Sequence, residues 1–410
     1  MSLLGDLRAK DKKGIFHRTP TSISYSTGFH TRDYRNGFML KALDSNNKLI
    51  REQPSVGIVG GSFNTVIGKS ATAKTTASIQ MAMNIVAPFD DGLVIHCDTE
   101  QATNYSRIRS VTGQMNKTLE DKYILKRDTV FIEDIFEFII SIADTKKADP
   151  KKYQYDTGLL DEFGLPIIAY VPTVILIDSI PSLALRDTIN DTEMQGDTYA
   201  TRKAKKLAQF YRHLGPIITS ANIIVFTINH INDKIDINPF AKTQAQTMYL
   251  KMTESLPGGN SPIYYANNIF KFVSGSKFKR EDDGFDGFAV KVELIKSRTN
   301  KAGQVATLIY DQENGFDQVR SLYQFAEEIK VVEGRNPKRF FTGHEEARFD
   351  SRKLRDMVLS DEKLRYALYD TTIPRLEAML SRGREDEVKY DEFEIMNRVL
   401  LSMHNEGLAG

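Results

Sequence analysis

The sequence predicts an α/β fold built on a twisted, mostly parallel sheet with antiparallel strands added at one edge. From about residue 56, apolar runs rich in β-branched residues alternate with longer segments of helical periodicity. Strands and helices that alternate in this way imply right-handed crossovers and a sheet that is covered on both faces. A length of 410 residues allows one large core with smaller additions at its ends.

Three regions follow from this pattern. Residues 1–35 are predicted to form an N-terminal arm and lead-in segment, residues 36–317 the core, and residues 318–410 a small C-terminal helical domain. The last prediction rests on apolar residues at helical spacing, such as Leu354, Met357 and Val358.

The individual elements are predicted from short aliphatic runs and the segments between them. The parallel strands are predicted at residues 63–67, 93–97, 123–125, 174–177 and 223–228. The helices between them are predicted at residues 75–86, 132–143 and 199–221. Three later runs joined by short polar turns predict antiparallel edge strands at residues 269–273, 289–295 and 305–310.

Two stretches interrupt this rhythm. Residues 146–172 form a polar insertion that contains tyrosines, and the sequence leaves its role open. Residues 231–262 show no sustained helix or strand pattern. A connection of that length inside a compact domain is usually functional or disordered.

Composition favours a protein of the cytoplasm. No stretch approaches the roughly 20 apolar residues that span a bilayer, and the first residues lack the apolar run of a secretory signal. The single cysteine, Cys97, excludes an internal disulfide and a Cys-rich zinc site, and it is predicted to be a buried strand residue. A formal net charge of +1 neither requires nor excludes a polyanionic partner, so any nucleic-acid surface would be local.

A turn with phosphate-binding character follows the first predicted strand. Gly68, four further residues, Ala73, Lys74 and Thr75 fit the P-loop pattern, except that Ala73 replaces the usual glycine. In this arrangement backbone N–H groups surround the phosphates, Lys74 neutralises them, and the Thr75 hydroxyl binds magnesium. The predicted nucleotide contacts in the turn are Gly68, Ser70, Thr72, Ala73, Lys74, Thr75 and Thr76.

A competing register would end the motif at Gly68, Lys69 and Ser70. Its leading glycine position would then be Phe63, which lies inside the predicted strand, so the first register is preferred.

Polar residues follow three of the predicted strands at the edge where open α/β sheets bind ligands. Glu100 follows the second strand and suits a base that activates the attacking water. Asp178 follows the fourth and suits a magnesium site, reached through a bound water. Asn229 and His230 follow the fifth and can contact the γ-phosphate, although a histidine satisfied at a strand end is the plainer interpretation.

With these strand ends in place, the chain resembles the RecA/UvsX strand-exchange recombinases, and the phage UvsX branch most closely. The resemblance covers residues 19–357, and the segments that carry it are VIGKSATAKTT, HCDTE, ILIDSIPSL, FTINH, LPGGNSPIYYANNIF and VELIKSRTN. It implies a RecA-like P-loop ATPase core that uses ATP and Mg²⁺, forms helical filaments on single-stranded DNA and pairs homologous duplexes. Single-strand-binding and loader proteins are further implied partners, in the cytoplasm of a bacterial host.

The resemblance also implies roles for particular residues. Glu100 matches the catalytic glutamate and His230 the γ-phosphate sensor. Lys296 and Arg298 match a pair that reaches the ATP of the neighbouring subunit, which would make hydrolysis depend on assembly; they are otherwise simply exposed residues after a strand. The residue that stacks on adenine has no clean counterpart, so Tyr105 or Arg107 would have to serve.

Two loops hold DNA in this family, and their counterparts here are residues 186–198 and 231–262. Cations, aromatics such as Tyr249 and Phe240, and glycines suit a sequence-tolerant grip on single strands, although a solvated loop has the same composition. The basic start of the helix after the first loop is equally typical of a solvated face. The predicted DNA contacts are Arg202, Lys203, Lys234, Lys242, Lys251, Gly258, Gly259 and Asn260.

The N-terminal arm, with Phe16 as an apolar anchor, resembles the segment by which relatives dock on the adjacent core, and a disordered tail is the alternative. Two rival functions share the predicted core. One is a hexameric replicative helicase, against which stand the short arm and the GGNSP segment. The other is an assembly protein without turnover, an option that Ala73 keeps open.

Overall fold

The computed structural model describes residues 20–128, 130–186, 197–233, 250, 251 and 254–381, together with Leu7 and Ala9. The chain has an α/β fold around a nine-stranded sheet. In chain order the strands of this sheet are β1 (Phe63–Gly68), β2 (Leu93–Asp98), β3 (Tyr123–Lys126), β4 (Thr173–Asp178), β5 (Ile223–His230), β6 (Asn268–Phe278), β7 (Gly287–Ser297), β8 (Gln304–Asp311) and β9 (Gly315–Asp317).

The sheet is mostly parallel, as predicted. Its spatial order is β9-β8-β7-β6-β1-β5-β4-β2-β3, and the six strands from β6 to β3 in this order pair in parallel. His230 is level with Gly68, and Asp178 is level with Asp98. The polar residues that follow these strands therefore share one edge of the sheet.

One predicted strand direction is wrong. The run at 269–273 was expected to be an antiparallel addition, but β6 runs parallel to β1, with Asn268 level with Asn64. The long connection after β5 carries the chain back across the sheet, so β6 starts at the same edge as β1. Strands β7 and β8 do pair antiparallel, as predicted. The short strand β9, which the sequence did not predict, pairs antiparallel with β8.

Helices cover both faces of the sheet because the strand side chains are apolar on both sides. Leu176 and its alternating neighbours pack against the helices Lys74–Val86, Tyr105–Thr112 and Asn116–Lys122. Ile177 and the buried Cys97 face the helices Ile132–Ala148 and Asp197–Ala221. Short helical turns lie at Pro150–Tyr153, Ile180–Ser182, Ser261–Tyr265, Arg280–Asp283 and Ser351–Lys353.

The start of the described chain belongs to the core. Ser24–Tyr25 pairs with Ile58–Val59, and the helix His30–Asn36 packs beside β8 with Asp33 fully buried. The predicted boundary at residue 35 thus falls inside a helix. The sequence concealed this because the helix buries polar side chains, and Asp33 is compensated by hydrogen bonds from the backbone N–H and hydroxyl of Thr27 at 2.7 and 2.6 Å.

Two hairpins pack together beside the core. One consists of Phe38–Leu43 and Leu49–Ser55, and the other of Gln154–Leu160 and Pro166–Tyr170. The insertion predicted at 146–172 therefore contains an ordered hairpin. Gln53 joins the two, since its side-chain amide both donates to and accepts from the backbone of Leu160.

The C-terminal region is not wholly helical, which corrects the prediction. The helix Gln318–Glu328 is followed by a three-stranded sheet, Val332–Glu333, Arg339–Phe341 and His344–Phe349, and then by the helices Leu354–Ser360 and Glu362–Glu377. The strands escaped detection because they are short and largely polar. Phe341 and Phe349 join them to the helices in a separate apolar cluster. Within the described parts of the chain, no helix has the length and apolar character to cross a membrane.

Candidate functional site: a phosphate loop at the sheet edge

The predicted P-loop is a turn between β1 and the helix Lys74–Val86. Ser70 is exposed at its tip, while Thr72 is buried and its hydroxyl donates to the Lys69 carbonyl at 2.9 Å. A Cβ on Gly68 would lie 2.6 Å from the carbonyl oxygen of Phe272, so glycine is required there by close packing. Ala73 has a φ of 58°, the conformation that favours the glycine it replaces.

Lys74 is the first residue of the helix, and its side chain folds back over the preceding turn. Its Nζ donates to the carbonyls of Gly68 and Lys69 at 3.0 and 2.8 Å. The side chain is buried, which lowers the pKa of the ammonium, and the carboxylates of Asp178 and Glu100 counter part of that effect. A buried ammonium whose donors are held by neutral carbonyls suits an anionic ligand.

The two predicted magnesium residues are in direct contact. The Thr75 hydroxyl donates to Asp178 Oδ2 at 2.7 Å. Burial raises the pKa of Asp178 to about 6, despite the opposing effect of the Thr75 hydrogen bond. A hydroxyl beside a carboxylate that is poorly solvated is an oxygen donor set that suits Mg²⁺, so these residues fit the predicted ion. Thr76, next on the helix, is half-buried.

Glu100 lies across the same edge, after β2. Its Oε1 accepts a hydrogen bond from the Ser179 hydroxyl at 2.6 Å and lies 3.1 Å from His230 Nε2. Burial tends to raise the pKa of Glu100, but these two contacts and the charge of Lys74 outweigh it and lower the pKa below its ordinary value. Glu100 is therefore held as a carboxylate, with 38% of its side chain exposed to solvent.

Sequence reasoning gave no role to Ser179, although it directly follows Asp178. Its N–H donates to the Thr99 hydroxyl at 2.8 Å, and that hydroxyl donates to the Asp178 carbonyl at 2.9 Å. Thr99 thus joins the end of β4 to the end of β2, and the Ser179 hydroxyl orients Glu100. Its position one residue beyond a strand-end carboxylate was the available signal.

Asn229 and His230 are brought to this edge at the end of β5. The Asn229 side chain donates to the Pro257 carbonyl at 2.8 Å and accepts from the His230 N–H at 2.9 Å. Ile231 N–H donates to the Gly68 carbonyl at 3.2 Å, so the chain leaves β5 in contact with the phosphate loop. The sequence did not reveal Pro257 as the partner of the Asn229 side chain.

Lys296 and Arg298 do not join the site of their own chain. Lys296 is level with Ile269, which is level with Thr65, three residues before Gly68 and two strands away from it. Ladder spacings put the two backbones roughly 14 Å apart. The Lys296 ammonium instead donates to the carbonyls of Ile263 and Tyr264, both at 2.8 Å.

The two cations lie together where the antiparallel strand ends. Burial and then the charge of Arg298 lower the pKa of Lys296 to about 8. Arg298 donates to the carbonyl of Tyr264 at 3.3 Å, and 70% of the Tyr264 side chain is exposed.

Both candidates for an adenine contact have hydrogen-bonding partners within the chain. The Tyr105 hydroxyl contacts the backbone of the edge strand β3, donating to Tyr123 and accepting from Leu125. The Arg107 guanidinium donates to the carbonyls of Gln312 and Glu313, both at 3.1 Å. Arg107 therefore fixes the turn between β8 and β9.

The five cations among the predicted DNA contacts separate into three groups. Lys234 and Lys242, like the arm residue Phe16, lie outside the described residues, as do most of residues 186–198. Arg202 and Lys251 are exposed. Lys203 is buried, and its ammonium donates to the Pro181 carbonyl, with burial lowering its pKa to about 8. Its predicted DNA role is therefore replaced by a structural one.

The glycine segment at the end of the second loop is packed on the core. A Cβ on Gly258 would lie 2.9 Å from the Ile180 side chain, and one on Gly259 would lie 3.3 Å from Ala204. Asn260 precedes the short helix Ser261–Tyr265 and its carbonyl accepts from two backbone N–H groups there. Packing and positive φ explain these glycines without a ligand.

None of the protein-family models compared with the chain matches it, and no curated protein is similar enough to count as a relative.

Proposed function

We propose that the protein hydrolyses ATP to ADP and phosphate, and that this reaction drives its assembly as a helical filament on single-stranded DNA for homologous strand exchange. Its sheet and phosphate loop would then be a RecA-like ATPase core. The observation that carries the proposal is the convergence of Lys74, Thr75, Asp178, Glu100 and His230 at one sheet edge.

Each side chain has a task in this reaction. The phosphates would lie against the turn that begins at Gly68, with the Lys74 ammonium exchanging its two carbonyl acceptors for phosphate oxygens. Thr75 and Asp178 would hold Mg²⁺, which supplies charge neutralisation for phosphoryl transfer. Glu100 would align the attacking water and accept its proton, since Ser179 and His230 keep the carboxylate ionised and oriented.

His230 would respond to loss of the γ-phosphate. Its ring contacts Glu100, and the following residue donates to the Gly68 carbonyl, so a change at the γ-phosphate would be felt at the start of residues 231–262. This is the stretch expected to hold DNA. Coupling between hydrolysis and DNA grip would run through this strand end.

Lys296 and Arg298 would make hydrolysis depend on assembly. Because both lie at the far end of β7, away from their own phosphate loop, any contribution to hydrolysis must be made to another protomer. Cations supplied across an interface stabilise charge in the transition state. The predicted oligomerisation arm would bring the protomers together.

The first test replaces Glu100 by glutamine. A general base contributes typically about 10²–10⁴-fold, so kcat for ATP should fall by roughly that factor while nucleotide affinity stays within a few fold. Glu120→Gln, on the exposed side of the helix Asn116–Lys122, is the matched control and should behave like wild type. A Glu100→Gln protein that hydrolyses ATP at the wild-type rate would overturn the assignment.

A second test asks whether sites are shared. Glu100→Gln and Arg298→Ala proteins should each be inactive alone, but a 1:1 mixture should regain up to about a quarter of wild-type activity, the fraction of random interfaces with both residues intact. Lack of any recovery in the mixture would argue against a shared site.

Electron microscopy and the salt dependence of hydrolysis test the proposed binding to single-stranded DNA. Open helical filaments on single-stranded DNA are expected, and closed six-membered rings that unwind duplexes would indicate a helicase instead. DNA stimulation of hydrolysis should weaken as salt rises, because phosphate contacts release counterions.

A further inference from the structure

The connection between β7 and β8 begins with a tight polar turn. The connection spans residues 298–303 and starts directly after Ser297, the last residue of β7. The Ser297 hydroxyl accepts the backbone N–H groups of Thr299 and Asn300, both at 3.1 Å, which closes the turn. Arg298 lies inside this turn, so the contacts of the turn decide where the Arg298 side chain leaves the backbone.

One side of the turn is held by the short helix Ser261–Tyr265 and the residues after it. The Arg298 N–H donates to the Asn267 carbonyl at 3.1 Å, and the guanidinium donates to the Tyr264 carbonyl at 3.3 Å. The Lys296 ammonium donates to two carbonyls of the same helix. Both cations are therefore tied to this helix on one side of the turn.

The other side of the turn is held by the Asn300 side chain. Its Nδ2 donates to the Gly37 carbonyl at 2.7 Å and to the Met379 carbonyl at 3.3 Å. Its Oδ1 accepts the N–H of Lys301 at 2.7 Å. Gly37 directly follows the helix His30–Asn36, and Met379 belongs to the C-terminal region. One amide group thus joins the turn to two parts of the chain that are distant in sequence.

The helix end that receives Asn300 is itself fixed to the core. The Thr299 hydroxyl donates to the Asn36 carbonyl at 2.9 Å, and the Ser297 hydroxyl donates to Asn36 Oδ1 at 3.3 Å. Asn36 is fully buried, and its Nδ2 donates to the Gly57 carbonyl at 2.7 Å. Several hydrogen bonds therefore join the turn to an element that the core holds in place.

We infer that Asn300 is a positioning residue for the shared ATP site. The inference rests on the proposed function, in which Lys296 and Arg298 act on the ATP of a neighbouring protomer. A cation can stabilise the transition state only if it is held close to the geometry that the reaction needs. Arg298 is exposed, so its placement depends on hydrogen bonds rather than on packing. Asn300 supplies those bonds on the side of the turn away from the helix Ser261–Tyr265.

This role acts in one direction across an interface. Asn300 lies beyond the end of β7, at the opposite edge of the sheet from Gly68 and Glu100. Loss of its amide should damage the cations that a protomer offers to its neighbour. The phosphate loop and Glu100 of the same protomer should still accept intact cations from another protomer. A defect in folding would damage both halves of the site.

The experiment mixes Asn300→Ala protein with two partners on a poly(dT) oligonucleotide at saturating ATP. Alone, Asn300→Ala should show a kcat lower by about 10-fold or more and a KM for ATP within a few fold of wild type, because displacing a reacting group by about 1 Å can cost about 10²-fold. A 1:1 mixture with Glu100→Gln should regain up to about a quarter of the wild-type rate, because Glu100→Gln protomers offer intact cations to an intact Glu100. A 1:1 mixture with Arg298→Ala should show no such gain.

A second variant and a control accompany this test, with thermal unfolding midpoints measured for each protein. Thr299→Val keeps the side-chain volume and removes the hydroxyl that donates to the Asn36 carbonyl, so it should show the same one-sided defect. Asn46→Ala, in the exposed turn between Phe38–Leu43 and Leu49–Ser55, is the matched control and should hydrolyse ATP at the wild-type rate.

Two outcomes would rule out the positioning role. One is a wild-type rate for Asn300→Ala alone. The other is a folded Asn300→Ala protein that does not complement Glu100→Gln, because the residue would then support both halves of the site. If Asn300→Ala does not fold, the same two outcomes are decided with Thr299→Val. Failure of the proposed function has a different signature, since the wild-type protein would lack ATPase activity or Glu100→Gln and Arg298→Ala would not complement each other.

Discussion

Lys146 should make the stability of the protein depend on pH. Its ammonium is buried and donates to the carbonyls of Val171 and Ala221 at 2.7 and 3.0 Å. Among the residues that the structure describes, no carboxylate forms an ion pair with it, and burial lowers its pKa to about 7 from an ordinary 10.5. Folding therefore disfavours the charged form.

The sign and size follow from the two protonation states. Between the two pKa values the unfolded chain binds a proton that the folded protein does not, so the free energy of unfolding rises with pH. From about pH 6.5 to about pH 9 the expected gain from this group is about 2 kcal/mol. The gain is lost progressively as pH falls towards about 7, and the dependence levels off below that pH because the lysine is then protonated in both states.

Urea unfolding of wild type and Lys146→Met across this pH range measures the effect. The substitution removes the titrating group, so the difference in unfolding free energy between the two proteins should change by about 2 kcal/mol over the range, whatever its constant offset. Lys147→Met, the same change at the exposed neighbouring residue, should track wild type. Parallel profiles for wild type and Lys146→Met would refute the reasoning.

Two further predictions concern the stability of the folded protein. Lys203→Met should lower the free energy of unfolding by about 1–3 kcal/mol, because the Pro181 carbonyl loses its donor, while affinity for labelled single-stranded DNA measured by anisotropy stays within twofold of wild type. Ala73→Gly should leave thermal stability unchanged or raise it by up to about 1 kcal/mol, because the residue has positive φ. Ala208→Gly, inside the helix Asp197–Ala221, should lower stability by about 1 kcal/mol in the same melting assay.

The central sheet could be predicted because its strands are apolar on both faces. A run such as Val174–Ile177 is apolar at every position, so it matches neither the spacing of an amphipathic helix nor the alternation of a half-exposed strand. It is followed directly by a carboxylate. Such runs identify buried parallel strands, and their polar ends identify an edge. The turn that begins at Gly68 and the placement of Asp178 at the same edge follow from this pattern, whereas the contact between Thr75 and Asp178 was not predicted.

Elements held together by polar contacts could not be predicted in this way. The helix His30–Asn36 buries Arg32 and Asp33, and its stability depends on partners distant in sequence or in the preceding turn. Lys203 lies in a basic cluster that is indistinguishable from a solvated face until Pro181 is placed beside it. The sequence shows that such residues are charged, but it does not show which carbonyl accepts their hydrogen bonds.

Strand direction is the property that decides how the site is completed. Lys296 and Arg298 follow an apolar run just as Glu100 and Asp178 do, and the sequence alone gives all four the same relation to a strand. Because β7 runs antiparallel to β6, its end lies at the opposite edge from Gly68. Side chains at opposite edges of one sheet cannot meet around one phosphate group, so under the proposed function the two cations would serve a site on another copy of the chain. If the site is divided in this way, the specific ATPase rate should fall on dilution, because full activity would need protein concentrations that sustain assembly.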